Sequence, residues 1–205
     1  MILVIDTSAA TTAVALIDTE EGGSEDFTPT RADLLSLLRR IARSNQITKV
    51  AVATGPGSFT GLRAGVSFGL GLAKGLGVPI VPLPTLALQA ARTDNPVTAV
   101  VEAGRGRFYY LAPGAEIAVG GPADIPTTHP LVGGVPPGPL LAAGHSFVPE
   151  RELRPFGQAA ARMLETAREV PYGSLEIEYM QSFSIPTKSE PSAGFRGDPS
   201  KASRK

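Results

Sequence analysis

The chain has 205 residues, which is enough for one or two small domains with a hydrophobic core. Lysine plus arginine and aspartate plus glutamate both total 19, so no net charge attracts the whole chain to nucleic acid or to a membrane surface. Cysteine is absent, which excludes disulfides, thiolate zinc sites and cysteine nucleophiles.

The chain begins with a predicted β-hairpin. Residues 2–5 form a short apolar run that fits a buried strand, and residues 12–17 fit its partner strand. Asp6 and Ser8 lie in the turn between them, where their side chains can close the turn by hydrogen bonds. Because the apolar run stops at Asp6, we predict neither a signal peptide nor a membrane span, and we expect a cytoplasmic protein.

A polar segment, residues 19–30, separates this hairpin from the first helix and has room for one edge strand. Thr30 and Asp33 fit a capping box at the start of that helix. An alternative start has Thr28 as the cap and Pro29 at the first helical position.

This first helix is predicted to end near Ser44 and carries apolar residues on more than one side. One face comprises Leu34, Leu37, Leu38 and Ile41. Leu35 and Ala42 extend the apolar surface toward another face. Arginines crowd the last turns, and we interpret them as partners of the helix dipole rather than as a nucleic-acid patch. They are Arg39, Arg40 and Arg43.

A βαβ unit follows the first helix. The predicted order is a buried strand at 50–54, a glycine loop at 55–57, a helix at 58–76 and a second strand at 78–81. Ser58 or Thr60 can cap the first turn of the helix. Because one crossover helix joins the two strands, they are expected to run parallel, and the fold class is α/β.

The helix of this unit has a second stripe of small and apolar residues besides the stripe that must cover the sheet. The second stripe comprises Gly61, Gly65, Phe68, Leu72 and Gly75. Each interior glycine costs about 1 kcal/mol relative to alanine, so close approach by another backbone is the usual reason to keep it. We predict that two helices share a protein interface, and burial inside the same chain is the open alternative. The predicted interface residues are Leu34, Leu35, Leu38, Ala42, Gly61, Gly65, Phe68, Gly69 and Leu72.

The sequence contains partial matches to enzyme motifs, and the surrounding residues argue against each of them. The glycines near residue 55 lack the acidic residue of a dinucleotide site, and no lysine of a phosphate-binding P-loop follows them. Ser67 matches the nucleophile-elbow pattern but falls about two turns into the helix. The histidines, His129 and His145, stand sixteen residues apart and fit no zinc spacing. We therefore predict no catalytic residue, metal or cofactor.

The second half of the chain has weaker patterns. A third helix is predicted at 85–92, strands at 98–102, 107–111, 117–119 and 140–143, and a last helix at 156–168. From residue 185 onward the composition turns to Ser, Pro, Gly and charge, which predicts a disordered tail.

The glycine block, GPGSFTGLRAGVSFGLGLAKGLGVPIVPLPTLALQA at residues 55–90, resembles the signature of the TsaB (YeaZ) family. The opening MILVIDTSAATTAVALID also resembles that family's first hairpin. Residues 102–110 are similar to a further family segment, with Glu102 where the family has aspartate. Arg31-Ala32-Asp33 replaces the His-Ser-Glu that family members usually carry at the start of the first helix.

The resemblance implies an actin-like ATPase (ASKHA) fold with two lobes, the second of them reduced. On this basis residues 1–96 form the N-terminal lobe, residues 97–184 the C-terminal lobe and residues 185–205 the tail. In that fold the turn after the first strand faces the phosphates and metal of a nucleotide. Asp6, Thr7 and Ser8 would then be a vestigial phosphate loop, although simple turn closure by Asp6 and Ser8 also explains them.

The resemblance further implies a noncatalytic scaffold that binds and activates the catalytic subunit TsaD. The complex installs N6-threonylcarbamoyladenosine (t6A) at position 37 of tRNAs that read ANN codons. The ATPase TsaE joins the larger complex, tRNA is contacted indirectly through the complex, and a homodimer through the same helices is possible when TsaD is missing.

An enzyme of the same fold is the alternative hypothesis. A nucleotide-dependent kinase or ATPase would use Asp6, Thr7 and Ser8 to hold metal and phosphate. The thin second lobe argues against this hypothesis, because an actin-like site needs both lobes to close over a nucleotide.

Overall fold

The computed structural model of the chain describes residues 1–20 and 22–178, so the predicted tail at 185–205 lies outside the described residues. Two β-sheets organise the described part. The first sheet has the strand order β3-β2-β1-β4-β5 and the second has the order β8-β7-β6-β9. The strands are β1 (Ile2–Asp6), β2 (Ala13–Ile17), β3 (Ser24–Phe27), β4 (Lys49–Gly55), β5 (Ile80–Pro84), β6 (Thr98–Gly104), β7 (Arg107–Leu111), β8 (Ala118–Gly120) and β9 (Leu131–Val132).

Five α-helices connect or cover these sheets within the described residues. They are α1 (Leu34–Ser44), α2 (Phe59–Leu76), α3 (Thr85–Ala90), α4 (Gly138–Ala142) and α5 (Phe156–Leu164). β1 pairs antiparallel with β2 and parallel with β4, and β4 pairs parallel with β5. The predicted hairpin, the βαβ crossover through α2 and the α/β fold class are confirmed.

The first sheet is buried on both faces because its central strands are apolar at almost every position. On one face, α1 and α2 pack over the sheet and share one hydrophobic core with it. On the other face, α3 and α5 pack over the same strands in a second core. The helices α1 and α2 therefore cover one common face of the first sheet.

The second lobe is a smaller sheet with a core on each face. Helix α3 joins the lobes, because Leu86 belongs to the core of the second lobe while Leu88 belongs to the core of the first. Both side chains are fully buried. The short helix α3 thus fixes the position of one sheet relative to the other.

One prediction for the second lobe is wrong, and one strand is missed. Residues 140–143, predicted as a strand, lie mostly in helix α4, whose first turn contains Pro139. Strand β9 was not predicted, because its two residues are flanked by proline and glycine. β9 nevertheless pairs with β6, so a buried neighbouring strand decides its conformation.

Helix α5 returns to the first lobe. The sequence division places it in the C-terminal lobe, whereas its small residues Ala159 and Ala160 are buried against the core of the first sheet. At its start, the Gly157 N–H donates to the carboxylate of Asp26 in strand β3 over 2.9 Å. The helix therefore closes the face of the first sheet that α3 leaves open.

After α5 the chain runs along the edge of the first sheet. Val170 pairs with Ile80 of the edge strand β5. The Tyr172 hydroxyl donates to the carbonyl of Val78 over 2.7 Å, just beyond the end of α2. The Glu178 N–H donates to the Thr54 carbonyl over 2.8 Å, at the end of β4. At Glu178 this C-terminal segment therefore lies beside the space between the two lobes.

Candidate partner surface and interlobe cleft

The ends of helix α2 are set by local chemistry. The Ser58 side chain accepts a hydrogen bond from the Gly61 N–H over 3.3 Å, so the predicted Ser58 cap is present. At the other end Gly77 takes a left-handed conformation with φ of 67°, which favours glycine. The long helix therefore begins and ends where the sequence predicts.

The glycines of the predicted interface face the chain's own sheet, which corrects the interface prediction. A Cβ on Gly61 would overlap the carbonyl oxygen of Thr7, and one on Gly65 would overlap the Thr7 side chain. A Cβ on Gly69 would overlap the side chain of Val52. These three glycines let α2 approach β1 and β4 closely, which leaves no surface there for a partner.

Leu34 and Leu38 need the same correction. Their side chains are only 2% and 1% exposed, because they form the core face of α1 over the first sheet. Four predicted interface residues keep accessible surface: Leu35, Ala42, Phe68 and Leu72. Leu35 is 40% exposed, and the other three are partly buried.

We call these four residues the α1–α2 strip. Leu35 and Ala42 are seven residues apart and so lie on the same side of α1, while Phe68 and Leu72 are four apart on α2. Phe68 and Leu72 also pack against the core that α1 and α2 share. On α2 they lie beside the glycines that contact Thr7, the residue that follows β1. The strip is therefore an apolar surface along two helices of one face.

The turn after β1 is tied to the start of α2. The Ser8 N–H donates to the Asp6 carboxylate over 2.8 Å, and the Thr7 hydroxyl donates to the Gly61 carbonyl over 2.7 Å. The Ser58 N–H donates to the Ser8 carbonyl over 2.7 Å. The Asp6 side chain closes the turn, whereas the Ser8 hydroxyl is buried and has no partner among the described residues. The three hydrogen bonds occupy the Ser8 N–H, the Thr7 hydroxyl and the Ser58 N–H, which a phosphate would otherwise use.

Asp6 is 4% exposed, and burial raises its pKa above the ordinary 3.8. A carboxyl with a higher pKa in the folded chain stabilises the fold below pH 3.8, and that contribution is lost as the pH rises through the folded-state pKa. Asp6→Asn keeps the acceptor oxygen but cannot ionise. We expect this variant to be more stable than the wild type at neutral pH, with an advantage that shrinks toward pH 4.

Urea unfolding of both proteins across this pH range measures the effect. An advantage of Asp6→Asn that stays constant with pH would show that Asp6 does not titrate as its burial implies.

A cleft of about 420 Å³ lies between the lobes. Its walls come from the turn after β1, the start of α2, strands β6 and β7, and the C-terminal segment. Charged side chains of both signs line it: Arg31, Glu102 and Glu178. No local sequence pattern places Arg31 or Glu178 at this cleft, because both are distant in sequence from the turn after β1.

His145 has a structural environment. His145 is buried, and its Nε2 lies 2.8 Å from the carbonyl oxygen of Pro122. Across residues 1–20 and 22–178, no group of three or more His, Cys, Asp or Glu side chains is placed to hold a metal ion. Ser67 lies within α2 rather than on a strand-to-helix turn.

None of the described helices is both long enough and apolar enough to cross a membrane.

Comparison with known proteins gives three kinds of match. The family model described as TsaD, tRNA N6-adenosine threonylcarbamoyltransferase, matches residues 34–125. The tRNA threonylcarbamoyladenosine biosynthesis protein TsaB of Bacillus subtilis is 34% identical over 120 residues, which is 53% of this chain and 52% of that protein. The protein of the same name from Haemophilus influenzae is 31% identical over 123 residues, with the same two coverages. The chain thus spans about half the length of the curated relatives it matches.

A solved structure matches over a longer stretch. YeaZ from Pseudomonas aeruginosa superposes with a TM-score of 0.65 over 87% of this chain and 99% of that one, at 20% sequence identity. At this identity the match shows the fold, which is of the actin-like ATPase type with two lobes. The resemblance to the TsaB (YeaZ) family is therefore confirmed, in sequence over about half of the chain and in fold over 87% of it.

Proposed function

We propose that this chain is a noncatalytic subunit of the machinery that makes t6A in tRNA, and that the α1–α2 strip binds the catalytic subunit TsaD. The curated relatives are named for t6A biosynthesis, which supports the pathway. The observation that carries the docking surface is the strip itself, an apolar surface on two adjacent helices.

The strip supports docking because its members are apolar, keep accessible surface and lie on two helices that cover the same face of the first sheet. Single exposed leucines are common on protein surfaces, whereas contiguous apolar patches mark interaction sites. Leu35 projects 40% of its surface to solvent, and the partly buried Phe68 and Leu72 extend the patch along α2. Two helices from this chain and helices from a partner would form a shared bundle over the strip.

The noncatalytic role is supported by how the turn after β1 is used. A kinase or ATPase of this fold needs free donors there for phosphate. In this chain the Thr7 hydroxyl and the Ser8 N–H already bond within the protein, whereas the Ser8 hydroxyl has no partner among the described residues. The described residues also bring no metal-ligand cluster to this loop. Both observations favour the scaffold over the kinase alternative.

The wider assembly is part of the same proposal. TsaE joins the complex, tRNA is bound through the complex rather than by this chain alone, and the complex works in the cytoplasm. When TsaD is missing, the strip pairs with a second copy of the chain, since the same apolar surface then remains exposed.

Co-expression with TsaD, followed by size-exclusion chromatography with light scattering, tests the proposal. We expect the two chains to elute together as a complex. Purified alone, the chain is expected to elute as a dimer that TsaD converts into the mixed complex. Separate elution of this chain and TsaD at micromolar concentrations would contradict the docking.

A further inference from the structure

The cleft between the lobes has a composition that docking on TsaD does not explain. Three separate parts of the chain bring charge to it: Arg31 ahead of α1, Glu102 on β6 and Glu178 on the C-terminal segment. These three side chains form no hydrogen bond or ion pair with the described part of the chain. Charges of both signs therefore face one cavity without neutralising each other.

Besides these charges, the cleft has apolar walls and two serines, Ser8 and Ser58, and its size is limited. Phe59, Ala103 and Tyr109 contribute to its walls, and its volume is about 420 Å³. Cavities of this kind bind small molecules that place a few polar groups against charged residues and an apolar body against the walls. A nucleoside triphosphate is a poor match, because two carboxylates line the cleft and the Thr7 hydroxyl and the Ser8 N–H are already bonded. The buried Ser8 hydroxyl has no partner among the described residues and is a donor that a ligand can use.

We propose that the interlobe cleft binds a small zwitterion with an apolar body, of the α-amino acid class. The carboxylate of the ligand pairs with the guanidinium of Arg31, and its ammonium group pairs with Glu102 and Glu178. The apolar side chain lies against Phe59, Ala103 and Tyr109. Since Arg31 and Glu102 belong to different lobes, the bound molecule bridges the lobes.

The surroundings of Glu178 agree with this assignment. Partial desolvation raises the pKa of its carboxyl, and no described cation stands close enough to pair with it. The backbone of the same residue is fixed by the hydrogen bond from its N–H to the Thr54 carbonyl. The carboxylate is thus held at the cleft by the main chain and is available to a positively charged group of a ligand.

Matched probes separate the zwitterion from its halves. Titration calorimetry of the full chain is done with L-phenylalanine, with phenethylamine, which lacks the carboxylate, and with 3-phenylpropionate, which lacks the ammonium group. Mg·ATP is the fourth probe. We expect L-phenylalanine to bind at least about tenfold more tightly than either half, since each charged hydrogen bond is worth about 1.5 kcal/mol or more. We expect no competition from Mg·ATP.

Variants of the cleft assign the two contacts. Arg31→Gln is expected to weaken the binding of L-phenylalanine about tenfold and to leave the binding of phenethylamine unchanged. Glu178→Gln is expected to weaken the binding of L-phenylalanine about tenfold and to leave the binding of 3-phenylpropionate unchanged. Arg168→Gln is the control, because Arg168 is exposed and does not line the cleft. All three positions lie at the surface, and thermal melting checks that each variant folds.

Three outcomes would overturn the proposal. They are no binding of L-phenylalanine, equal binding of the zwitterion and one of its halves, and displacement of L-phenylalanine by Mg·ATP. None of these outcomes bears on TsaD docking, so the two proposals fail independently.

Discussion

The Gly61→Ala variant is expected to lose about 2 to 3 kcal/mol of free energy of unfolding, although alanine favours helix. Its new Cβ would overlap the carbonyl oxygen of Thr7, a backbone atom that cannot move without shifting β1. The hydrogen bond from the Thr7 hydroxyl to the Gly61 carbonyl would also be disturbed. Urea unfolding monitored by circular dichroism measures the loss.

Gly71→Ala is the matched control on the same helix. No atom lies within 4 Å of a Cβ placed on Gly71, so only the helix propensity changes. We expect this variant to gain up to about 1 kcal/mol. A Gly61→Ala variant as stable as the wild type would contradict the close packing of α2 against the turn after β1.

The second large effect concerns the docking surface. Leu35→Asp places a carboxylate in the α1–α2 strip, and we expect the affinity for TsaD to fall about 30-fold or more, which is the 2 kcal/mol of an interface hot spot. The fold should survive, since Leu35 is 40% exposed and does not belong to the core face of α1. Calorimetric titration of TsaD into each variant measures the affinity.

Leu141→Asp is the control for this experiment. Leu141 is 54% exposed and lies on α4 in the second lobe, away from the strip. We expect it to bind TsaD like the wild type. Equal affinity of Leu35→Asp and Leu141→Asp would remove Leu35 from the interface, whereas equal weakening would indicate a contact surface on the other lobe.

The structure changes which residue should be replaced by a charged one to block partner binding without unfolding the protein. From the sequence alone, a charge at Gly65 or Gly69 would be expected to block a partner and spare the fold. Both glycines contact the chain's own sheet, so a charge there would unfold the protein. The exposed Leu35 is the position that separates loss of binding from loss of folding.

Local signals explain why the first lobe could be predicted so closely. Strand β1 is apolar and ends at Asp6, and α2 is marked by the Ser58 cap and the left-handed Gly77. In the second lobe, β9 and α4 lie among prolines and glycines that favour neither helix nor strand. Their conformation is decided by pairing with β6 and by burial of Leu140, which no short stretch of sequence reveals.

The candidate site was only partly predictable, for a similar reason. The glycines of α2 indicate close backbone approach, but the residue they approach, Thr7, stands 54 positions from Gly61 in the chain. The sequence therefore cannot show whether the glycine face meets the protein's own sheet or a partner. The unpaired charges of the cleft come from Arg31, Glu102 and Glu178, and only the folded chain brings them together.

The central claim is tested most directly by mass spectrometry of tRNA nucleosides from cells depleted of this chain. We predict that t6A is lost, that the wild-type chain restores it, and that Leu35→Asp restores it far less than Leu141→Asp. An unchanged level of t6A in cells without a redundant copy would contradict the proposed function.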